Sequence, residues 1–424
     1  MHVDTLILHA AQLITCASPN SPKRGKAMQT LDNIPDGALA IAAGKIVAVG
    51  TTAQVGSEFT ADQVLSAQGK VVCPGFVDCH THLVYAGDRL MEFEMRIGGA
   101  SYLEIMAAGG GIVRTAQAVR NASVAQLVAE SLPRLQAMLA LGTTTAEIKT
   151  GYGLTTQSEL HMLEAIGALA QQQPVTLVPT FLGAHAIPAE YQADPQAYTE
   201  QVIQEMLPAA AEWYRQSLFP QRGLPFFCDV FCEQNAFSLA QSQQVLSAGK
   251  AHGMAIKIHA DEFTSLGGVG LAVEMGAVSV DHLDVTTVQD FARLAGSSTV
   301  GVMLPAVNFN LGSTHFASAR AFLAAGGALA LSTDINPGSA PCPSLPFVMA
   351  LACRYQKLSP AEALHAVTIN AAHALGLGHW VGSLEVGKQA DFLLLQTNDY
   401  RALAYEFGGN LVAQVWKAGK QMMG

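Results

Sequence analysis

The sequence is poor in charge. Asp, Glu, Lys and Arg make up 13% of its 424 residues, and half of the chain is hydrophobic. That balance excludes a disordered chain or a long coiled coil and calls for a large buried core. Basic residues are the scarcer sign, 23 against 33 acidic, for a formal net charge of −10. No basic stripe is available to neutralise phosphates, so no nucleic-acid partner is expected. The pair Lys23-Arg24 stands isolated and reads as part of a solvated loop. No apolar run reaches the roughly 20 residues of a membrane span, so no membrane partner is expected. The chain opens Met1-His2-Val3-Asp4, with an acid where a secretory leader carries lysine or arginine. Cysteine is sparse and odd in number. Seven thiols in apolar contexts suit a reducing cytoplasm better than a disulfide framework. Cys228 and Cys232 lack the further cysteines of a zinc knuckle. Also missing is a Gly-x-Gly-x-x-Gly loop after a strand, the mark of a doubly wound nucleotide-binding sheet. Gly109-Gly110-Gly111 follows a helix-like stretch instead, and reads as a mobile loop over a site or as a helix C-cap.

What is present is β-rich at both ends. Leu6–Ile14, Gly37–Ala42 and Lys45–Gly50 read as strands, with Ala43-Gly44 as a tight turn and Ser18–Lys26 as a loop. Phe392–Gln396 and Leu411–Lys417 resemble them at the other end. The middle alternates. Apolar β-like runs recur at Val71–Val77, Thr143–Lys149, Val175–Leu182, Phe226–Phe231, Ala255–Ile258, Ala277–Asp281, Val300–Leu304 and Ala328–Ser332. Helical patterns lie between them, among them Ser123–Leu141, Ser158–Gln171, Thr199–Gln216, Ser238–His252, Thr286–Ala295 and Ser318–Ala325. The expected fold is α/β: a (β/α)8 TIM-like barrel over residues 71–378. Residues 1–70 and 379–424 are expected to build a small composite β-sandwich.

In such a barrel the reactive groups stand at the C-terminal ends of the strands. The first run ends in His80-Thr81-His82, and side chains two apart on an extended strand point the same way, so both imidazoles can grip one ion. The next ends carry Lys149, His185, Glu233, His259 with Glu262, Asp281 with His282, and Asp334. Each alone reads equally as a buried histidine or acid paired with a neighbour. Seven of eight strand ends ionisable, in a chain so poor in charge, is a different matter. His80, His82, His259 and Asp334 suit zinc or a similar first-row ion that activates water at neutral pH. Asp334 accepts the water's proton, His185 or His282 polarises a carbonyl oxygen, and Glu262 moves protons to a ring nitrogen as general acid–base.

The residues at these strand ends resemble the amidohydrolase superfamily, and the step from His259 to Glu262 resembles its one-metal, deaminase-like branch. Longer strings narrow the likeness. Pro74–Arg89 (PGFVDCHTHLVYAGDR), Glu92–Arg96, Glu147–Leu154 (EIKTGYGL), Thr180–His185, Asp229–Glu233, Lys257–Phe263 (KIHADEF), Asp281–Leu283 and Thr333–Ser339 (TDINPGS) are similar to the imidazolonepropionase family of histidine degradation. Gly382–Phe392 is more general to the superfamily. The resemblance implies hydrolytic ring opening of 4-imidazolone-5-propanoate with one zinc or iron ion per chain, in a homodimer. It implies Arg89 as the grip on a carboxylate tail, against the plain alternative of a surface ion pair. Tyr152, His185, Glu262, Asn336, Gly338 and Ser339 would be the other substrate contacts. Lys149, which bridges two metals as a carbamate in some superfamily members, is expected here to be an ion-pair partner. Asp78 is expected either to orient a ligand imidazole from behind or to cap its strand. The rivals are another one-metal enzyme of this architecture, such as a nucleobase deaminase, and a metal-free scaffold.

Overall fold

The computed structural model describes residues 1–18, 21–100, 104 and 110–424. Its centre is a run of eight parallel strands in sequence order: β1 (Phe76–Asp78), β2 (Thr143–Lys149), β3 (Thr176–Ala184), β4 (Phe227–Cys232), β5 (Ala255–Ala260), β6 (Ser279–His282), β7 (Val300–Met303) and β8 (Leu329–Leu331). The seam between β8 and β1 is closed just past the strand ends. There Asp334 N donates to His80 O at 3.1 Å and His82 N to Ile335 O at 3.0 Å. Asp78 reinforces this seam: its carboxylate accepts from the Ser332 and Thr333 hydroxyls and from Thr333 N. Asp78 therefore holds the barrel shut and touches no ligand imidazole.

Helices return the chain between strands, and their starts follow capping chemistry. Ser123 accepts from Gln126 N ahead of Val124–Ala140, Thr287 from Asp290 N ahead of Val288–Ala295, and Ser238 forms a reciprocal box with Gln241 ahead of Leu239–Ala251. The helix expected to start at Ser158 starts one turn earlier. Thr155 is its cap and accepts from Ser158 N, so Ser158 lies inside Thr156–Gln172. The single helix expected over Thr199–Gln216 is Pro195–Gln201 and Leu207–Gln216 joined by a π-type turn, Val202–Met206. Pro208 has no N–H to give, and the turn before it widens in response. Of the three glycines at 109–111, Gly109 lies outside the described residues. Gly111, at φ +78°, opens the helix Ile112–Asn121 rather than closing one.

Two further sheets stack beside the barrel. One is Lys45–Thr51, Gly37–Ala42, His2–Ala10 and Thr60–Ser66. The other takes Val71–Pro74, Gln12–Ile14 and Asn33–Ile34 from one end of the chain, and Phe392–Leu395, Val412–Lys417 and Lys420–Met423 from the other. The run expected to be one barrel strand, Val71–Val77, is thus two strands in two sheets. Gly75 marks the break: a Cβ there would lie 2.3 Å from Thr144 Oγ1. The second sheet's central strands Val71–Pro74 and Phe392–Leu395 are buried on both faces, so they read as unbroken apolar runs. Val72, Phe392 and Leu394 face the other small sheet, while Val71, Cys73, Leu393 and Leu395 join the barrel's core.

Candidate active site

The strand ends deliver the expected cluster. His80 and His82 point the same way from the exit of β1 and meet His259 from β5, with 3.3 Å between His80 Nε2 and His82 Nε2 and again between His82 Nε2 and His259 Nε2. Asp334 Oδ1, from the exit of β8, lies 3.3 Å from His80 Nε2 and 3.4 Å from His82 Nε2. All four residues are at most 3% exposed. Three imidazole nitrogens and a carboxylate oxygen at such separations cannot all bond one another. Asp334 Oδ1 has no hydrogen-bond partner among the described residues. A buried, convergent and unsatisfied donor set of this composition fits one metal ion.

Burial pushes the imidazoles of His80, His82 and His282 well below the usual histidine range. They stay neutral, the form in which imidazole binds metal. Two of the rings have a carboxylate behind them. His80 Nδ1 lies 2.7 Å from Asp281 Oδ2, and His259 Nδ1 lies 3.0 Å from Asp229 Oδ2. Asp281 accepts a hydrogen bond from His80 Nδ1–H, which leaves His80 Nε2 free to face the cluster, while Asp229 flanks His259 Nδ1 at ion-pair distance.

The two carboxylates belong to a dry charged layer. Lys149 Nζ bonds Asp229 Oδ2 at 2.7 Å and Glu147 Oε1 at 2.8 Å. Lys257 Nζ bonds Glu147 Oε2 at 2.5 Å and the Cys79 carbonyl at 2.8 Å. Both ammonium groups lie 3.7 Å from Asp281 Oδ2. Burial alone would strip the proton from Lys149, but Asp229, Glu147 and Asp281 together hold it charged, above its ordinary range. Lys149 is an ion-pair partner, as expected. The roles of Glu147, Asp229, Lys257 and Asp281 went unseen in the sequence. The signal that was there is a charged residue inside runs otherwise apolar: Glu147 and Lys149, Asp229, Lys257 and Asp281.

Around the cluster stand the other expected residues. The His185 ring stacks on His82, with centroids 4.8 Å apart and planes at 14°. Its Nδ1 donates to the Gly151 carbonyl at 3.0 Å. Burial holds its pKa down at about 3, so the ring is neutral. With the proton on Nδ1, His185 Nε2 can accept a hydrogen bond but cannot donate one. The Tyr152 ring lies 5.3 Å from His185 and 5.8 Å from His82. Glu262 Oε2 is 3.6 Å from His282 Nε2. Burial raises Glu262 and Asp334 well above the usual carboxylate range. Glu233 ties down the loop after β5 by accepting from Phe263 N at 2.9 Å and Thr264 N at 3.1 Å, next to Glu262.

At the rim, half-buried Arg89 donates its Nε to Thr115 Oγ1 at 2.9 Å. Its guanidinium lies against Gly338, where a Cβ would stand 2.2 Å from Nη1. Asn336 is different. Its Oδ1 accepts from Gly338 N and Ser339 N, and its Nδ2 donates to the Asp334 carbonyl and Ser339 Oγ. The Asn336 side chain, with Ser339 as one of its partners, is spent on shaping the turn that carries Asp334 and cradles Arg89.

A family model described as the amidohydrolase family matches residues 233–422. The chain is 55% identical to the imidazolonepropionase of Chloroflexus aggregans over 98% of each chain. It is 54% identical to that of Herpetosiphon aurantiacus over 99% of this chain and 97% of the relative. Its fold superposes on an adenosine deaminase from Xanthomonas campestris with bound zinc, with a TM-score of 0.67 and 22% identity. The match covers all of this chain and 93% of the other. A barrel of this kind, a metal-ready cluster at its strand ends and full-length identity of this order lead to one conclusion: the chain belongs to the imidazolonepropionase family of metal-dependent amidohydrolases.

Proposed function

We propose that the protein hydrolyses the ring of 4-imidazolone-5-propanoate to N-formimino-L-glutamate, the ring-opening step of histidine degradation. The observation that carries this reading is Arg89. A cation set against Gly338 at the rim, beside Tyr152 and His185, suits a small ring that bears a carboxylate tail. Relatives at 54–55% identity carry the matching name.

His80, His82, His259 and Asp334 would hold one zinc or iron ion, which when bound supplies an activated water and an electrophile for the ring carbonyl. The chain's own groups do the rest. Asp334, which a bound cation would hold ionised against the pull of burial, takes the proton released as the water's oxygen bonds the carbonyl carbon. His185 Nε2 accepts from a ring N–H and cannot polarise the carbonyl, which leaves His282 as the donor to that oxygen. Glu262, held in its protonated form by burial, delivers a proton to the ring nitrogen as its bond to the carbonyl carbon breaks. Arg89 pairs with the propionate, and Tyr152 closes over the ring edge. Gly338, Asn336 and Ser339 line the turn on the tail side. The seven unpaired cysteines suit a cytoplasmic setting, and we read the working unit as a homodimer, to be checked by sedimentation.

The experiment is incubation with imidazolonepropanoate, following loss of its ultraviolet absorbance and formation of formiminoglutamate. Unchanged absorbance with the metal-loaded chain refutes the reading. Ammonia release from guanine or adenine would place the chain with the deaminases instead.

A further inference from the structure

Glu159 lies outside the metal cluster, in the first turn of the helix Thr156–Gln172, and is 1% exposed. Its carboxylate takes three backbone N–H groups in place of a cation. Oε2 accepts from Gly151 N at 2.9 Å, and Oε1 accepts from Gly153 N and Leu154 N, each at 2.8 Å. To wrap the carboxylate in this way the backbone takes φ +106° at Gly151 and +54° at Leu154, the latter costly for a residue with a side chain. Neither glycine can be replaced. A Cβ on Gly151 would lie 2.9 Å from His185 Nδ1, and one on Gly153 would lie 2.9 Å from Glu159 Oε1. Arg120 braces the other side of the loop, donating to the Gly153 carbonyl at 2.8 Å and the Leu154 carbonyl at 3.1 Å.

Two site residues hang from this wrapped loop. Tyr152 sits between the two glycines whose amides Glu159 holds. The Gly151 peptide also presents the carbonyl that takes His185 Nδ1–H, which fixes that ring's tautomer and its stacking on His82. We propose that Glu159 is a positioning residue for the ring-opening reaction, acting through Tyr152 and His185 and touching neither substrate nor metal. The inference rests on the substrate reading above for its kinetic consequence, and on geometry alone for its structural one.

The test uses the full-length, metal-loaded enzyme. Glu159→Gln keeps the shape but turns one acceptor into a donor that must face an N–H. We expect kcat/KM on imidazolonepropanoate to fall about 10- to 100-fold, as misplacement by about an ångström does. Metal content should match the wild type, and hydrogen exchange over residues 151–154 should quicken. On a Tyr152→Ala, His185→Ala background the same substitution should cost less than about threefold, because the groups it acts through are gone. An equal loss on both backgrounds, or no loss on either, overturns the proposal. Glu159→Asp, which keeps the charge, should show a smaller loss with the same collapse, and it carries the test if Glu159→Gln fails to fold. A wild type inactive on imidazolonepropanoate refutes the substrate reading instead. Exchange at 151–154 then decides the positioning by itself, and an unchanged rate there overturns it.

Discussion

Between the two small sheets Phe392 stacks on Trp416 with ring centroids 5.2 Å apart, and Ile7, Leu13, Leu39 and Val72 fill the space around them. Inside the barrel the corresponding positions hold Glu147, Lys149, Asp229, Lys257 and Asp281, every one of them fully buried. Both interiors exclude water, but they spend that exclusion differently. The sandwich turns buried area into stability at about 25 cal/mol per Å². The barrel gives up stability to keep three carboxylates and two ammonium groups dry, where the desolvation cost rivals or exceeds their mutual attraction. In return, Asp281 holds His80 in one tautomer and orientation, and Asp229 sets a negative charge against His259. The difference teaches where substitutions should separate stability from activity.

The largest expected effect lies in the barrel alone. Asp334→Asn should leave the fold intact and lower turnover by about 100- to 10,000-fold, the usual worth of a general base. Circular dichroism and single-turnover rates check it, and near-normal turnover would remove Asp334 from the chemistry. Its counterpart in the sandwich is Trp416→Ala. That change should cost about 3–5 kcal/mol in urea unfolding and leave kcat/KM of the folded enzyme within about twofold. If Trp416→Ala impairs turnover as much as it impairs stability, the two interiors are coupled and the contrast fails.

Much of this division was legible before the fold was known. The ligands stood out together, because seven of eight apolar runs end in an ionisable residue in a chain poor in charge, although each alone reads equally as a buried, paired group. The layer behind them was not legible, because its contacts are set by which strands adjoin. His80 and Asp281 are 201 residues apart, and the β5–β6 pairing alone sets His259 opposite Asp281. The break at Gly75 was hidden for another reason. Val71–Pro74 is buried on both faces like the barrel strand that follows it, so hydrophobicity does not change across the junction. The strand Thr60–Ser66 left no pattern at all. It is an exposed edge, held by parallel pairing to His2–Leu8.

A mixed outcome is expected from the charged layer. Lys257→Met removes one of two cations from among Glu147, Asp281 and the Cys79 carbonyl. Uncompensated buried charge costs about 3–5 kcal/mol, and His80 loses a well-anchored partner, which lowers metal affinity about 10- to 100-fold. Chelator competition and urea midpoints measure the two losses. A stable variant with normal metal affinity would mean that the layer is not a charge-balanced unit, and the comparison with the apolar sandwich would lose its basis.

At the rim the effect should fall on binding. Arg89→Ala removes a charge-assisted grip worth about 1.5–3 kcal/mol, so KM should rise about 10- to 100-fold with a smaller change in kcat. Stability should hardly move, since Arg89 is half-buried and, among the described side chains, hydrogen-bonds Thr115. An unchanged KM would count against a substrate with a carboxylate tail.

The smallest effect concerns backbone strain, which both regions carry. Asp261, His282, Leu283 and Asp334 take φ between +52° and +85° at the barrel mouth, and Ala43 takes +50° in the sandwich. At the mouth the strain aims catalytic side chains, and relieving it should cost turnover. At Ala43 it aims nothing. Ala43 and Gly44, at φ +50° and +75°, form the two-residue turn that joins the paired residues Ala42 and Lys45. Positive φ at both central positions is the type I′ geometry, which favours Asn or Gly at the first. Relief of left-handed strain worth about 1–2 kcal/mol outweighs the added freedom of the unfolded chain, about 0.4–1 kcal/mol, so Ala43→Gly should raise unfolding stability by up to about 1 kcal/mol. The Ala43 N–H bond to Asp4 stays in place, and kcat and KM should be unchanged. A loss of turnover in that variant would show strain in the sandwich reaching the metal cluster, and the separation of the two interiors would fail.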